Sequence, residues 1–346
     1  MASTVARPTT PGVTGSGELP STMRAAVYAD YGGPERLELT EVDRPSPADD
    51  EVLVRVVAAA VNAGDWHLLC GSPFLIRLLY GGIRRPAHPI LGVDIAGRVA
   101  EIGDEVDGFA VGDAVIADLS SSGFGGFAEY VCVPEAMVVE KPDAVSFEAA
   151  AAITTAGVAA LQALRDAGRL QAGESVLVNG ASGGVGTFAV QVATALGAGV
   201  TGVCSTGKVD VVRSLGADAV VDYTEEDFTA SGTQYDLIVD AAGSHSLLAV
   251  RGTLNPGGRY VMVGGPFRRF LGAMVGGPLL SAIGNRTFGA FTVQPNPEDL
   301  ASVSERVVAG DIDPVIDRTF ELSEVAEAIR YVEEGRATGK VVIGIE

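Results

Sequence analysis

The stretch Val176 to Gly186, VLVNGASGGVG, holds residues that could serve either of two chemistries. Gly180-Ala181-Ser182-Gly183-Gly184 spells G-x-S-x-G, the sharp strand-to-helix turn that presents a hydrolase serine to its substrate. Ala181 to Gly186 also reads as a turn whose glycines let a dinucleotide's phosphates lie against backbone N–H groups. A serine of the first kind needs an acid and then a histidine further along the chain. Of the three histidines, His67, His88 and His245, only His245 follows Ser182, and it stands at the start of a helical pattern behind an internal strand. The dinucleotide reading has the context its motif demands: an apolar strand before the turn, a helix after it, and a βαβ unit around it. Gly183 would form the tight turn, Gly184 would admit a phosphate, and Gly186 would let the helix pack on the sheet, with Ala181 standing where a first glycine is usual.

The end of the next strand selects the cofactor. A binder of NAD usually places an acid there for the adenosine ribose, and an acid repels the 2′-phosphate of NADP. This strand ends CSTGK, Cys204 to Lys208, with no acid before Asp210. Ser205, Thr206 and Lys208, with Arg213 nearby, offer hydroxyls and positive charge for a phosphate, so NADPH is expected over NADH.

These residues need elements to position them. From Met23 the chain reads as short strands broken by turn residues (MRAAVYAD, EVLVRVVAAAVN, DIAGRVAEIG, GDAVIAD, FAEYVCVP), which predicts a barrel-like β unit. A helix follows at SFEAAAAITTAGVAALQALRDAG, from Ser146 to Gly168. Strands SVLVNG, VTGVCS, AVVDY, YDLIVDAAG and GRYVMVGG then mostly alternate with helices VGTFAVQVATALGA, KVDVVRSLGA and HSLLAVRGTL, the pattern of a doubly wound parallel sheet. Two amphipathic helices, PEDLASVSERVVAG and LSEVAEAIRYVEEG, and a strand KVVIGI close the chain.

Composition bounds the partners. The 346 residues suggest about two domains. Acidic residues outnumber basic ones 44 to 24, and the net charge of −20 opposes nucleic acid and anionic membrane surfaces. Cys70, Cys132 and Cys204 form no paired motif, which fits a reducing cytoplasm. Residues 1–22, rich in Ser, Thr, Pro and Gly, read as a disordered tail.

The ordered set HPILGVDIAGRVAEIGDEV, GDAV, GGFAEYV, VLVNGASGGVG, VVDYTEED and GRATGKVVI resembles the medium-chain dehydrogenase/reductase superfamily, and within it the zinc-free quinone oxidoreductase branch that includes zeta-crystallin. The resemblance runs from Met23 to Glu346. It implies an α/β fold in which a Rossmann-type doubly wound sheet, residues 149–292, is inserted in a GroES-like β-barrel domain made of residues 23–148 and 293–346. It also implies that KVVIGI rejoins the barrel, that the cofactor lies between the two units, and that the protein is a homodimer acting on a small molecule. Zinc-dependent members carry ligands where this chain has Asn62, Gly92-Val93-Asp94 and Ala151, and a catalytic zinc needs about three protein ligands. The resemblance assigns Gly183, Gly184 and Val185 to the pyrophosphate turn, Tyr223 to the adenosine phosphate and Lys340 to the cofactor side. Asn62, Thr155 and Gly264 are expected to line the cleft, and Asp65 and His67 to face the nicotinamide as candidates for orienting substrate or relaying a proton. The expected activity is hydride transfer from NADPH to quinones or to α,β-unsaturated and related activated carbonyls. The alternatives are a cofactor-binding protein with little turnover and the Ser182 hydrolase. The apolar segment Gly264 to Phe291 is longer than expected for the family; a lid, a substrate wall with Arg268 and Arg269 near an anionic group, and a subunit contact all stay open for it.

Overall fold

The structure, a computed structural model, describes residues 19–80 and 82–345. The expected disordered tail lies outside the described residues as far as residue 18, while Thr22 already opens a strand. β1 (Thr22–Val27) pairs antiparallel with β2 (Glu38–Asp43). The long strand β3 (Glu51–Val61) leads into two short helices, α1 (Ala63–Cys70) and α2 (Phe74–Leu79). β4 (Asp94–Ile102), β5 (Ala114–Asp118), β6 (Tyr130–Pro134) and β7 (Val138–Glu140) follow, and β6 pairs with β3.

Helix α3 (Phe147–Gln162) starts where the Ser146 hydroxyl accepts the Ala149 amide at 3.1 Å. Such a cap contributes about 0.5–2 kcal/mol. Beyond it come β8 (Ser175–Asn179), α4 (Gly184–Ala195), β9 (Gly199–Cys204), α5 (Val209–Ser214), β10 (Ala219–Asp222) and β11 (Tyr235–Asp240). The next elements are α6 (Leu247–Arg251), β12 (Leu254–Met262), α7 (Phe267–Ser281) and β13 (Thr287–Ala290). The chain ends with α8 (Pro297–Ala309), β14 (Ile316–Glu321), α9 (Val325–Glu333) and β15 (Lys340–Gly344). Helix α6 is shorter than its sequence pattern suggests because Gly252 ends it. β12 starts correspondingly early, with an irregular register against β11 between Leu254 and Arg259.

The second sheet is parallel throughout, in the order β10-β9-β8-β11-β12-β13. Counted from β8 this is 3-2-1-4-5-6, the dinucleotide-binding order, and the crevice of such a sheet opens between β8 and β11, where the order reverses. The other sheet runs β14-β15-β3-β4-β5-β7, with β15 antiparallel to β3. The final strand therefore returns to the first unit.

Both units share one core through α3. Ala58, Ala60, Ala96 and Ile116 from the first sheet and Val176, Val178 and Val239 from the second are buried in one cluster with the helix. The alanine-rich surface of α3 lets both sheets approach closely. Phe147–Ala167 is long and apolar enough to cross a membrane, yet 78% of that window is buried inside the protein, so its hydropathy is accounted for by packing. Burying a side chain the size of Ile153 or Leu161 contributes roughly 1.5–3 kcal/mol.

Candidate cofactor cleft

Sheet register brings distant residues to one edge. Val61 pairs with Val341, Ala60 with Asp94, and Asp94 with Asp118. The start of β15, the end of β3, the start of β4 and the end of β5 thus meet, with Lys340, Asn62, Asp94 and Asp118 side by side. The Lys340 ammonium donates to Asn62 Oδ1 at 2.6 Å and to Asp94 Oδ2 at 3.2 Å, and Asn62 Nδ2 donates to the same carboxylate oxygen at 2.8 Å. The Asp94 and Lys340 side chains are 0% and 2% exposed, so neither charge has water to compensate it. Asp94 Oδ1 accepts from both the amide and the hydroxyl of Thr155 at the middle of α3.

The Thr155 hydroxyl also lies 3.2 Å from Asp118 Oδ2. One hydroxyl has one proton, and its shorter contact is to Asp94. The Thr155 hydroxyl thus stands between the two carboxylates, with Asp94 its nearer acceptor and Asp118 its farther one. Burial, followed by the charge of Asp94, raises the Asp118 pKa.

Opposite this edge lies the glycine turn. Gly180 sits at φ +83° and Gly183 is the N-cap of α4. A Cβ on Gly186 would fall 2.0 Å from the Gly180 carbonyl, so the packing role expected for Gly186 is imposed by the backbone. The first N–H groups of α4 have no partner within the helix, and the helix dipole adds positive potential at the same point, which together suit a phosphate. A Cβ on Gly184 would approach Lys340 Cδ at 3.3 Å, so the turn and the lysine face each other across a narrow gap. The cleft has a volume of about 450 Å³, within the range of small-molecule sites.

Asn62, Gly183, Gly184, Val185, Ser205, Lys208, Tyr223, Gly264 and Lys340 all line this cleft. Thr155 lies behind it, bonded to Asp94, and Thr206 bonds the Thr224 hydroxyl at 2.7 Å. Lys208 spans the cleft mouth: its ammonium donates to the Ala337 carbonyl at 2.6 Å, and burial lowers its pKa. Asp222, at the end of β10, accepts from the amide and hydroxyl of Thr224. Arg213 pairs with Asp210.

Asp65 and His67 do not line the cleft. The Asp65 carboxylate caps α1 by accepting the Asn62 amide at 2.8 Å and reaches the Gly92 amide at 3.3 Å. Burial pushes its pKa up to about 7. His67, at the other end of α1, places Nδ1 3.1 Å from the Ser72 carbonyl. Asp65 thus holds the loop that carries Asn62, and His67 the turn that follows α1. Trp66 packs against the first unit's core.

Ser182 lines the cleft, and among the described residues no histidine is hydrogen-bonded to its hydroxyl. His245 places Nε2 3.1 Å from Asp227 and Nδ1 2.8 Å from the Ser244 hydroxyl. The hydrolase reading therefore lacks its geometry. Asp94 and Asp118 are the functional candidates that motif reading missed. The sequence signal was the acid in Gly92-Val93-Asp94, considered only as a missing metal ligand.

Comparison with known proteins agrees with this layout. A model of the alcohol dehydrogenase GroES-like domain matches residues 48–143, and one described as a zinc-binding dehydrogenase matches residues 215–343. The chain is 35% identical to a tomato (Solanum lycopersicum) 2-methylene-furan-3-one reductase, over 94% of this chain and 80% of that protein. It is 34% identical to a chloroplastic NADPH-dependent alkenal/one oxidoreductase of Arabidopsis thaliana, over 96% of this chain and 82% of the relative. Among solved structures, the quinone oxidoreductase from Coxiella burnetii superposes with a TM-score of 0.84 at 29% identity, covering 94% of this chain and 100% of that one.

Proposed function

The chain belongs to the medium-chain dehydrogenase/reductase superfamily, among its quinone oxidoreductase-like members, and on that premise we propose that it is a zinc-independent, NADPH-preferring reductase of quinones or α,β-unsaturated carbonyls. The observation that carries this reading is the cleft in which the glycine turn at the head of α4 faces the buried Lys340–Asn62–Asp94 knot.

The residues present fit a pyridine dinucleotide. The amides of Gly184 and Val185 would hold its pyrophosphate, with Gly183, whose own amide donates to the Gly180 carbonyl at 3.0 Å, shaping the turn, and Tyr223, 62% exposed beside the cleft, would flank the adenosine. Ser205 and Lys208 would take the 2′-phosphate, for which Lys208 exchanges a backbone carbonyl for a charged partner. Once bound, the nicotinamide supplies a hydride to an electron-poor carbon. The same residues do not fit a catalytic zinc. Asn62 offers an amide, Val93 and Ala151 offer alkyl groups, and the one carboxylate, Asp94, is already paired with an ammonium.

Reduction of an enone or a quinone also consumes a proton. Asp118, Thr155, Asp94 and Lys340 form a hydrogen-bonded file that ends on the cleft wall and can carry one toward it. The acceptor class follows the names of the relatives, a furanone reductase and an alkenal/one oxidoreductase.

The test is oxidation of NADPH with a simple benzoquinone, an alkenal and an aliphatic enone, each with and without a zinc chelator. Turnover that the chelator leaves unchanged is expected. Tight NADPH binding without turnover of any acceptor would replace the proposal with a cofactor-binding role.

A further inference from the structure

Two further hollows lie on the other side of α3 from the cleft. A cavity of about 10 Å³ is lined by Asp118 at the end of β5, Thr154 and Val158 of α3, and Pro295, Asn296 and Pro297 at the start of α8. That is room for about one water molecule, which the Asp118 carboxylate, the Thr154 hydroxyl and the Asn296 amide can hold. Pro295, Asn296 and Pro297 also line a larger hollow of about 450 Å³, whose walls include the exposed Arg165, Asp166 and Gln294. The small cavity therefore adjoins solvent through the large one. Among the described residues, none lines both the small cavity and the cofactor cleft. Thr154 faces the cavity and Ala156 the cleft, as two positions about 200° apart around an α-helix must. Thr155 stands between them.

The Asp118 carboxylate reaches from the cavity toward that threonine. The residue is 7% exposed; one oxygen accepts the Ser120 amide at 2.8 Å, and the other lies 3.2 Å from the Thr155 hydroxyl. The groups that act on its charge are Asp94, Ser120 and Thr155, none of them a cation. A buried carboxylate without a cation is costly as an anion and takes up a proton readily. From Thr155 the contacts continue to Asp94, and from Asp94 to Lys340 on the cleft wall. The Lys340 ammonium uses two of its three N–H groups on Asp94 and Asn62, which leaves one for the cleft.

We propose that the proton consumed in the reduction enters from the α8 side, through the cavity at Asp118, and not through the cofactor cleft. This rests on the reductase reading, and it gives Asp118 a role that acts through Thr155, Asp94 and Lys340 rather than at the acceptor itself. Dinucleotide and acceptor fill the cleft during turnover, so a proton from bulk water needs a second entrance. The Lys340 ammonium gives its proton to the acceptor as the hydride arrives, leaving a neutral amine. Thr155 Oγ1 takes the proton of Asp118 while its own passes to Asp94 Oδ1. A half-turn of the Asp94 carboxyl carries that proton to the side of Lys340, which recovers it. A solvent proton handed on by the cavity water restores Asp118, so one proton enters for each hydride transferred.

The experiment has two readouts on the full chain. In turnover of an aliphatic enone, Asp118→Asn keeps the side chain's shape but passes on no proton. It should lower kcat about tenfold or more and raise the solvent deuterium isotope effect, while the NADPH dissociation constant holds and Asp118→Glu recovers part of the rate. Thr155→Val cuts the same file at its middle, with Thr155→Ser restoring it, should Asp118→Asn fail to fold. The second readout needs no turnover: at mildly acidic pH, the infrared carboxylic-acid band that Asp118→Asn removes should exchange in deuterium oxide as fast with NADP⁺ bound as without it. Exchange slowed by NADP⁺, or the absence of such a band, would overturn the proposal. So would an unchanged kcat and isotope effect in Asp118→Asn beside an active wild type, which leaves the reductase reading standing. A wild type that turns over no acceptor would overturn that reading and the proton entrance with it.

Discussion

Replacing Lys340 with Met isolates the buried charge at the base of the cleft. The methionine keeps most of the side-chain volume and removes the ammonium, leaving Asp94 at 0% exposure without a cation. Deleting one partner of a buried ion pair costs about 3–5 kcal/mol. Asp94 keeps three donors, Asn62 Nδ2 and the amide and hydroxyl of Thr155, which places the loss near the lower end, about 3 kcal/mol on that scale. The double variant Lys340→Met/Asp94→Asn removes both charges and should recover most of that loss, because the pair then has no uncompensated member. Urea denaturation of wild type, both single variants and the double variant closes the cycle. Losses that simply add, or a Lys340→Met loss below about 1 kcal/mol, would refute the buried pair, since exposed pairs contribute only that much.

Three further outcomes follow from the geometry. Lys208→Glu should weaken NADPH more than NADH in equilibrium titrations, because it reverses the charge where the 2′-phosphate is placed; equal losses would remove Lys208 from that role. Gly184→Val should weaken either dinucleotide about tenfold or more, since its side chain would fill the narrow gap in which a Cβ already meets Lys340 Cδ at 3.3 Å; a near-wild-type melting curve would show the fold intact, and unchanged affinity would contradict the turn. Asp65, whose pKa rises from 3.8 to about 7 on burial, holds a proton in the folded state that the unfolded chain releases. Stability should therefore fall relative to Asp65→Asn as pH rises from about 4 to about 7 and then level off, and a pH-independent difference in urea midpoints would exclude the shift.

Local patterns in the chain carried much of this fold. The alternation of apolar strands and helices after Ser146, and the glycine turn within it, appear in the structure as β8, α4 and the parallel sheet around them. Asn62, Ser205, Lys208, Tyr223, Gly264 and Lys340 were named on motif position, and the fold gathers them around one cleft. Contacts made over long separations were not legible. Lys340 and Asp94 are 246 residues apart, and only the β15–β3–β4 register joins them. Asp65 looked reactive because it is an acid on a cofactor-side loop, whereas local hydrogen bonds turn it into a helix cap. Apolar content alone left the segment around α7 unassigned, since leucines facing a core and leucines facing outward look the same without a sheet behind them.

The proposed cleft between the two units takes NADPH in preference to NADH. Calorimetric titration of the purified chain with each reduced dinucleotide measures this without relying on Trp66, which packs against the first unit's core and does not line the cleft. The expected result is one site per chain with NADPH bound about tenfold or more tighter than NADH, and loss of that preference in Lys208→Glu. No heat with either dinucleotide would contradict the cofactor site, and equal affinities would contradict the assignment of Ser205 and Lys208 to the 2′-phosphate.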